Sequence, residues 1–107
     1  MENNIEVLFK KPFEEPQLCK IDNTPFVLSE LLGGNIDSIK ITDNITIICN
    51  KEGKLLELPS NVKILRENGC DTIIVGNIII AGMNTQGYFT SLNEDQKNYL
   101  KKINLIQ

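Results

Sequence analysis

The residue types that carry most enzyme chemistry are scarce in this sequence. Histidine is absent, which removes the commonest general base and the commonest ligand of transition metals. The acidic residues are scattered, with no D-x-D loop and no helical E-x-x-E pair that would hold a metal through oxygen ligands. Gly33 and Gly34 close a helix instead of opening one, so they predict no phosphate cradle. We therefore expect a protein that is not an enzyme and that uses no metal or cofactor.

Polar and cationic side chains gather instead around the stretch ICNKEGKLLELPSN, residues 48–61. An apolar segment runs there into Asn-Lys-Glu-Gly-Lys and returns through Leu-Leu-Glu-Leu to Pro-Ser-Asn. Such a stretch is either the rim of a binding pocket or a solvated hairpin turn, and the sequence leaves both open. Arg66 is the only arginine, the one group able to hold a phosphate or carboxylate by a bidentate fork. Asn77 stands in an apolar run, where its amide must find a partner.

The composition predicts one small soluble domain. The chain has 107 residues, of which 41% are hydrophobic and 23% charged, close to average globular usage. A net charge of −3 with a single arginine disfavours binding to duplex nucleic acid. Cys19, Cys49 and Cys70 are scattered and odd in number, which predicts buried thiols in a reducing cytoplasm. No signal peptide begins the chain and no apolar run approaches the ~18 residues of a membrane span, so we expect a cytoplasmic protein without a membrane partner.

The first third of the chain predicts two strands and a helix. Residues 5–10 and 17–21 alternate apolar and polar side chains on either side of a proline-containing connection. Thr24 and Pro25 are typical of an N-cap and a first helical residue. Apolar residues then recur at helical spacing until the Gly33-Gly34 pair ends the helix.

The middle of the chain predicts a strand pair and one long inner strand. Residues 35–42 and 45–50 are rich in β-branched side chains and flank a turn. Residues 55–58 are apolar and fit either a strand or a helical turn. Residues 72–81 are apolar on both faces, which predicts a continuous central strand covered on both sides. The second cover is either the chain's own helix and loops or another subunit, and this run is our main argument for self-association.

The last predicted element is a helix that begins near Asn93. Asn93 and Gln96 fit a capping box, and Ser91 with Glu94 is an alternative start. The apolar stripe expected to be buried comprises Tyr99, Leu100 and Ile103. With this helix, the order of elements predicts a single α+β domain over residues 1–107. It would have two helices and a small mixed or antiparallel sheet of about five or six strands.

A family resemblance is carried by three segments and by the helix that ends in Leu-Leu-Gly-Gly. The segments are IICNKEGKLLELPSN (47–61), DTIIVGNIIIAG (71–82) and GYFTSLNEDQKNYL (87–100). They resemble a family of small domains of unknown function found in bacteriophages, prophages and conjugative elements, chiefly of Firmicutes. With the opening strands, the likeness covers nearly the whole chain. The family has no established catalytic residues, so the resemblance implies a context and no chemistry.

That context implies a phage protein that counters a host defence by binding. The chain is similar in kind to sponges, small homo-oligomers that sequester nucleotide immune signals such as cyclic oligonucleotides or cyclic ADP-ribose derivatives. We expect such a site where subunits meet, with arginine or lysine on phosphate, asparagine on base edges and either Tyr88 or Phe89 for stacking. The alternative is an inhibitor or adaptor that binds a host defence or replication protein through a sheet edge or the C-terminal helix. The candidate ligand-binding residues are Asn50, Lys51, Lys54, Asn61, Arg66, Asn77 and Tyr88.

Overall fold

The computed structural model describes residues 4–65 and 71–103, and there the chain forms a six-stranded sheet, a two-stranded sheet and two helices. The large sheet has the order β2-β1-β7-β4-β3 with β8 beside β7, the small sheet pairs β5 with β6, and every pairing is antiparallel. The predicted α+β class, with two helices and an antiparallel sheet of this size, is confirmed. The strands are β1 (Asn4–Lys10), β2 (Gln17–Asp22), β3 (Ile36–Thr42), β4 (Ile45–Asn50), β5 (Ser60–Leu65), β6 (Asp71–Val75), β7 (Ile78–Met83) and β8 (Phe89–Thr90), and the helices are α1 (Pro25–Leu32) and α2 (Glu94–Lys102).

Both helices begin at the predicted caps. In α1 the Thr24 hydroxyl accepts a hydrogen bond from the Val27 N–H at 3.2 Å, and Gly33 ends the helix with a left-handed φ of 81°. In α2 the backbone N–H and side-chain oxygen of Asn93 exchange hydrogen bonds with Gln96, each 2.8 Å long. These caps satisfy N–H groups that no intrahelical bond reaches.

Two predictions about α2 are corrected by its packing. Ser91 is not the helix start, because its hydroxyl accepts a hydrogen bond from a β1 N–H at 2.9 Å. The buried stripe is right for Leu100 but wrong for Tyr99 and Ile103, which are 39% and 38% exposed. Gln96 is buried instead, and its amide donates to a carbonyl in the β3–β4 turn at 2.8 Å. Helix α2 therefore packs on the sheet partly through the side-chain amide of Gln96, and not through a continuous apolar stripe.

The predicted continuous strand over residues 72–81 is wrong. The run is divided at Gly76 and Asn77 into β6, in the small sheet, and β7, in the centre of the large sheet. Gly76 adopts a φ of 77°, and a Cβ there would lie 2.8 Å from the Leu58 side chain. Glycine is therefore strongly favoured at the bend that carries the chain from one sheet to the other.

Strand β7 is enclosed by its own chain. Every residue from Ile78 to Ala81 is 0% exposed. One face packs against the small sheet and Leu100 of α2, and the other packs against Leu28 and Leu32 of α1. The molecule thus has a layer on each side of its large sheet, and the apolar run no longer argues for a second subunit. Self-association itself stays a prediction.

A salt bridge joins β1 to α2. Lys97 Nζ lies 2.7 Å from Glu6 Oε1, and the Leu92 N–H donates to the Glu6 carbonyl at 2.9 Å. The hydrogen bond from Lys97, together with its charge, lowers the pKa of Glu6. The same hydrogen bond raises the pKa of Lys97.

We expect acid to weaken the fold through this pair. The folded-state pKa of Glu6 lies below its ordinary value of 4.5. The stabilisation that the Glu6–Lys97 pair gives to the fold is therefore complete above pH 4.5 and is lost as the pH falls through the folded-state pKa. Urea titrations between about pH 3 and pH 7 should show a shallower acid loss of stability in Lys97→Met than in the wild type. Lys101→Met changes an exposed residue of the same helix and should keep the wild-type slope. Equal slopes for the wild type and Lys97→Met would contradict this expectation.

Candidate functional site

Five of the seven candidate residues lie at one end of the large sheet, where β1 and β4 end and β7 begins. We call this region the loop end; it consists of loop 11–16, loop 51–59 and the link 76–77, with the residues that flank them. Tyr88 lies at the opposite end of the sheet, in the turn before β8, and Arg66 lies outside the described residues. The candidates at the loop end are Asn50, Lys51, Lys54, Asn61 and Asn77.

Asn50 is a buried residue that ties α1 to loop 51–59. Its Nδ2 donates to the Leu32 carbonyl at 3.1 Å, and its Oδ1 accepts from the Glu52 N–H at 2.8 Å. The amide packs against Gly34, where a Cβ would lie 3.2 Å from Nδ2. The side chain thereby satisfies a carbonyl at the C-terminus of a helix, where intrahelical partners run out.

Asn61 joins the small sheet to the large one. Its Nδ2 donates to the carbonyls of Lys10 and Gly76, at 2.9 and 2.7 Å, and its Oδ1 accepts from the Lys10 ammonium at 2.6 Å. Asn77 likewise donates to the Leu31 carbonyl at 3.3 Å. The amides of Asn50, Asn61 and Asn77 thus all donate to backbone carbonyls of their own chain. Their structural role is clear, and ligand binding by them stays a prediction.

The lysines of the loop end are balanced by glutamates. Lys51 and Lys54 are exposed, but among the described residues this end carries four basic and four acidic side chains. A site for a polyanion normally concentrates positive charge. The loop end is therefore a surface of mixed charge without a net positive field. The basic residues are Lys10, Lys11, Lys51 and Lys54, and the acidic ones are Glu14, Glu15, Glu52 and Glu57.

Loop 11–16 holds an aromatic residue where its turn favours glycine. The Glu14 N–H donates to the Lys11 carbonyl at 3.2 Å, which closes a turn with Pro12 second and Phe13 third. Phe13 has a φ of 66° and is 91% exposed. A turn with proline second and a positive φ third is type II, and it favours glycine at the third position. The sequence reasoning missed Phe13; the signal was K-P-F-E, with no glycine after the proline.

Loop 51–59 also combines a non-glycine residue at positive φ with exposed apolar side chains. The N–H groups of Glu57 and Leu58 donate back into the loop at 3.1 and 3.0 Å in the pattern of a Schellman motif. Glu57 takes the left-handed position with a φ of 56°, where glycine is usual. The helical turn, and not the strand, is therefore the correct alternative for this segment. Its leucines Leu55 and Leu56, also missed as surface residues, are 80% and 56% exposed.

Replacing Phe13 with glycine is expected to stabilise the fold. The change removes a strain of roughly 1–2 kcal/mol from the folded state. Glycine also gives the unfolded chain more freedom, which lowers stability by about 0.5–1 kcal/mol. The free energy of unfolding should therefore rise by about 0.5–1 kcal/mol. Urea-induced unfolding measures the difference. Glu14→Gly is the matched control, because Glu14 lies in the same loop without a positive φ, and it should lower stability. A less stable Phe13→Gly variant would contradict the strain argument.

Both cysteines in the described part of the chain are withdrawn from solvent to some degree. Cys49 is buried and Cys19 half-buried, and burial raises the pKa of both thiols. Cys70 lies outside the described residues. Within the described ranges, no group of three or more cysteines, aspartates or glutamates could hold a metal ion. In the same ranges no helix has both the length and the apolar character needed to cross a membrane.

The fold and the loop end define a class of small α+β domain, an antiparallel sheet between a helix and a smaller sheet, with structured polar loops at one end. The chain belongs to the family described as "Domain of unknown function (DUF3846)", which matches it over residues 5–104. The predicted membership of a small family of unknown function is thereby confirmed. No curated protein and no solved structure matches the chain.

Proposed function

We propose that this chain is a non-enzymatic binding protein that docks onto another protein through the loop end. One observation carries the proposal: each of the two loops combines a non-glycine residue in the left-handed region with apolar side chains in solvent. Both features are unfavourable for the isolated fold. Backbone strain of this kind clusters at binding sites, and exposed apolar anchors are what a partner's pocket buries.

The chemistry of the loop end favours a protein over a polyanion as partner. Its described lysines and glutamates are equal in number, so there is no net field to attract phosphates. Phe13 stands at a hairpin tip, and this convex shape suits insertion into a pocket better than enclosure of a small molecule. The expected partner is a protein with an apolar pocket whose rim carries charges of both signs.

The family resemblance supports a setting for this binding. The resemblance drawn from the sequence implies a setting in bacteriophages, prophages and conjugative elements, so the proposed target is a host defence or replication protein. The chain would act as an inhibitor or adaptor in the cytoplasm of the bacterial host. It would block its target by covering a surface, which needs no nucleophile and no general base.

Affinity capture from host cells tests the proposal. A tagged wild-type chain should retain one protein in stoichiometric amount. The double variant Phe13→Ser, Leu55→Ser should weaken that binding by at least about tenfold, because it removes the aromatic anchor and apolar surface that the partner's pocket would bury. Phe26→Ser is the matched control, since it removes an aromatic residue that is 71% exposed at the opposite end of the sheet, and it should bind as the wild type. Equal binding by the double variant and the wild type would contradict docking through the loop end.

A nucleotide sponge is the second candidate, and the positions of its predicted ligand groups restrict it to an oligomeric form. Lys51 and Lys54 are exposed at the loop end, whereas Tyr88 is 67% exposed at the opposite end. A single copy cannot bring these lysines and the tyrosine to one ligand, but a homo-oligomer in which opposite ends meet can.

Calorimetry against cyclic oligonucleotides and cyclic ADP-ribose derivatives tests this second candidate. Binding should be weakened by Lys54→Ala and also by Tyr88→Ala, because each supplies a different part of the shared site. Absence of heat with every ligand would contradict the sponge. A loss in one variant only would contradict the shared site.

A further inference from the structure

The two edges of the large sheet differ in how open they are to further pairing. Edge strand β3 has a register shift between Lys40 and Thr42, an irregularity of the kind that blunts sheet edges. Edge strand β2 pairs with β1 residue by residue from Gln17 to Asp22, without a shift and without an internal proline. The outer side of β2 is therefore a regular template for another strand.

Strand β2 presents a different chemistry on each face. Cys19 and Ile21 are half-buried on the face that α1 covers. Leu18, Lys20 and Asp22 are exposed on the other face. Lys20 and Asp22 are neighbours along that face, because side chains alternate along a strand. The edge thus carries adjacent charges of opposite sign.

We infer that two copies of this chain pair antiparallel through β2, with Ile21 opposite Ile21 of the second copy. A two-fold axis perpendicular to the sheet keeps each face of β2 on the same side in both copies. A residue can then pair only with a residue of the same face, so every allowed register contains one residue that lies opposite itself in the second copy. When the register is centred on Ile21, Lys20 of each copy lies opposite Asp22 of the other copy. Centring on Lys20 or on Asp22 sets like charges opposite one another, which is unfavourable. Centring on Leu18 or on Cys19 leaves Lys20 without Asp22 opposite it, so those registers form no charge pair between Lys20 and Asp22.

The Ile21 register also buries apolar surface. Ile21 keeps part of its side chain accessible at the edge, although it packs against the cluster beneath α1. Pairing covers that part with the same residue of the second copy. In this register only Lys20, Ile21 and Asp22 of each β2 face one another, and so short a pairing buries less than a standard protein interface. We therefore expect a weak dimer with a Kd of about 10–100 μM. This dimer is independent of docking through the loop end, because the loop end contributes no residue to it.

Sedimentation velocity of the full chain at up to about 1 mM tests the inference. Asp22→Lys makes both charge pairs repulsive, and Lys20→Asp does the same with the opposite sign. Each variant should weaken dimerisation about tenfold or more. An equimolar mixture of the two variants restores opposite charges at both pairs and should dimerise within about threefold of the wild type. Lys40→Asp, an exposed change on the β3 edge, is the control and should dimerise as the wild type.

Several results would overturn the inference. These are a wild-type chain that stays monomeric over the whole concentration range, an Asp22→Lys variant that dimerises as well as the wild type, and a mixture of folded variants that does not associate. Circular dichroism establishes that each variant is folded. Because Lys20 also lies opposite Glu6 of β1, Lys20→Asp is the variant at greater risk of misfolding. Asp22→Lys and the wild type decide the question without it.

Discussion

Replacing Ile80 with alanine is expected to lower the free energy of unfolding by about 3 kcal/mol. Ile80 is 0% exposed in the centre of β7 and packs in the cluster between the large sheet, the small sheet and α2. Strand β7 is hydrogen-bonded to β1 on one side and to β4 on the other, so the backbone cannot move to close the cavity. Urea-induced unfolding of the two proteins measures the loss.

The matched control for this change is Ile73→Ala. Ile73 is 47% exposed on β6, and its truncation should lower stability by less than about 1 kcal/mol. The two residues belong to the same apolar run, so the comparison separates the central strand from the small sheet. Equal losses at the two positions would contradict the enclosure of β7 by its own chain.

Asn61→Asp is expected to have the next largest effect, a loss of about 2 kcal/mol. The substitution keeps the shape and an acceptor for the Lys10 ammonium but removes the Nδ2 donor. The carbonyls of Lys10 and Gly76 would then face a carboxylate, which repels them. Part of the loss should be recovered below about pH 4, where protonation of the new carboxyl group restores a donor.

The control for Asn61→Asp is Gln17→Glu. It converts an amide to a carboxylate at an exposed position of β2 and should leave the free energy of unfolding within about 0.5 kcal/mol of the wild type. If Asn61 served only a ligand, its substitution would be equally harmless in the unliganded chain. A stability of Asn61→Asp equal to that of the control would therefore contradict the joining role assigned to this residue.

Local patterns predicted the helix starts and most of the strands. Thr24, Gly33 and Asn93 act on backbone groups within a few residues of themselves, so neighbouring sequence is sufficient to identify them. The alternation in β1 and β2 and the turn between β3 and β4 are local in the same sense. The sequence also located loop 51–59 as the polar region near a candidate site.

Local patterns failed where the result depends on distant partners. The apolar residues of β6 and β7 have the same character, and only their pairing with β5 in one sheet and with β1 and β4 in the other separates them. Leu55 and Leu56 have the composition of a core segment, yet the closing turn at Glu57 leaves them in solvent. Hydrophobic periodicity reports that a residue is apolar and cannot report which layer is available to cover it.

Composition by itself determined that this protein lacks imidazole chemistry, because no fold can supply a side chain that the chain does not contain. The order of neighbouring residues determined the two helix starts, through caps that act within one turn. Only the tertiary structure decided that three candidate asparagines hold loops together, since their amides reach carbonyls between 15 and 51 positions away. It likewise decided that Phe13, Leu55 and Leu56 share one end of the sheet, because strand order, and not sequence distance, places those loops together.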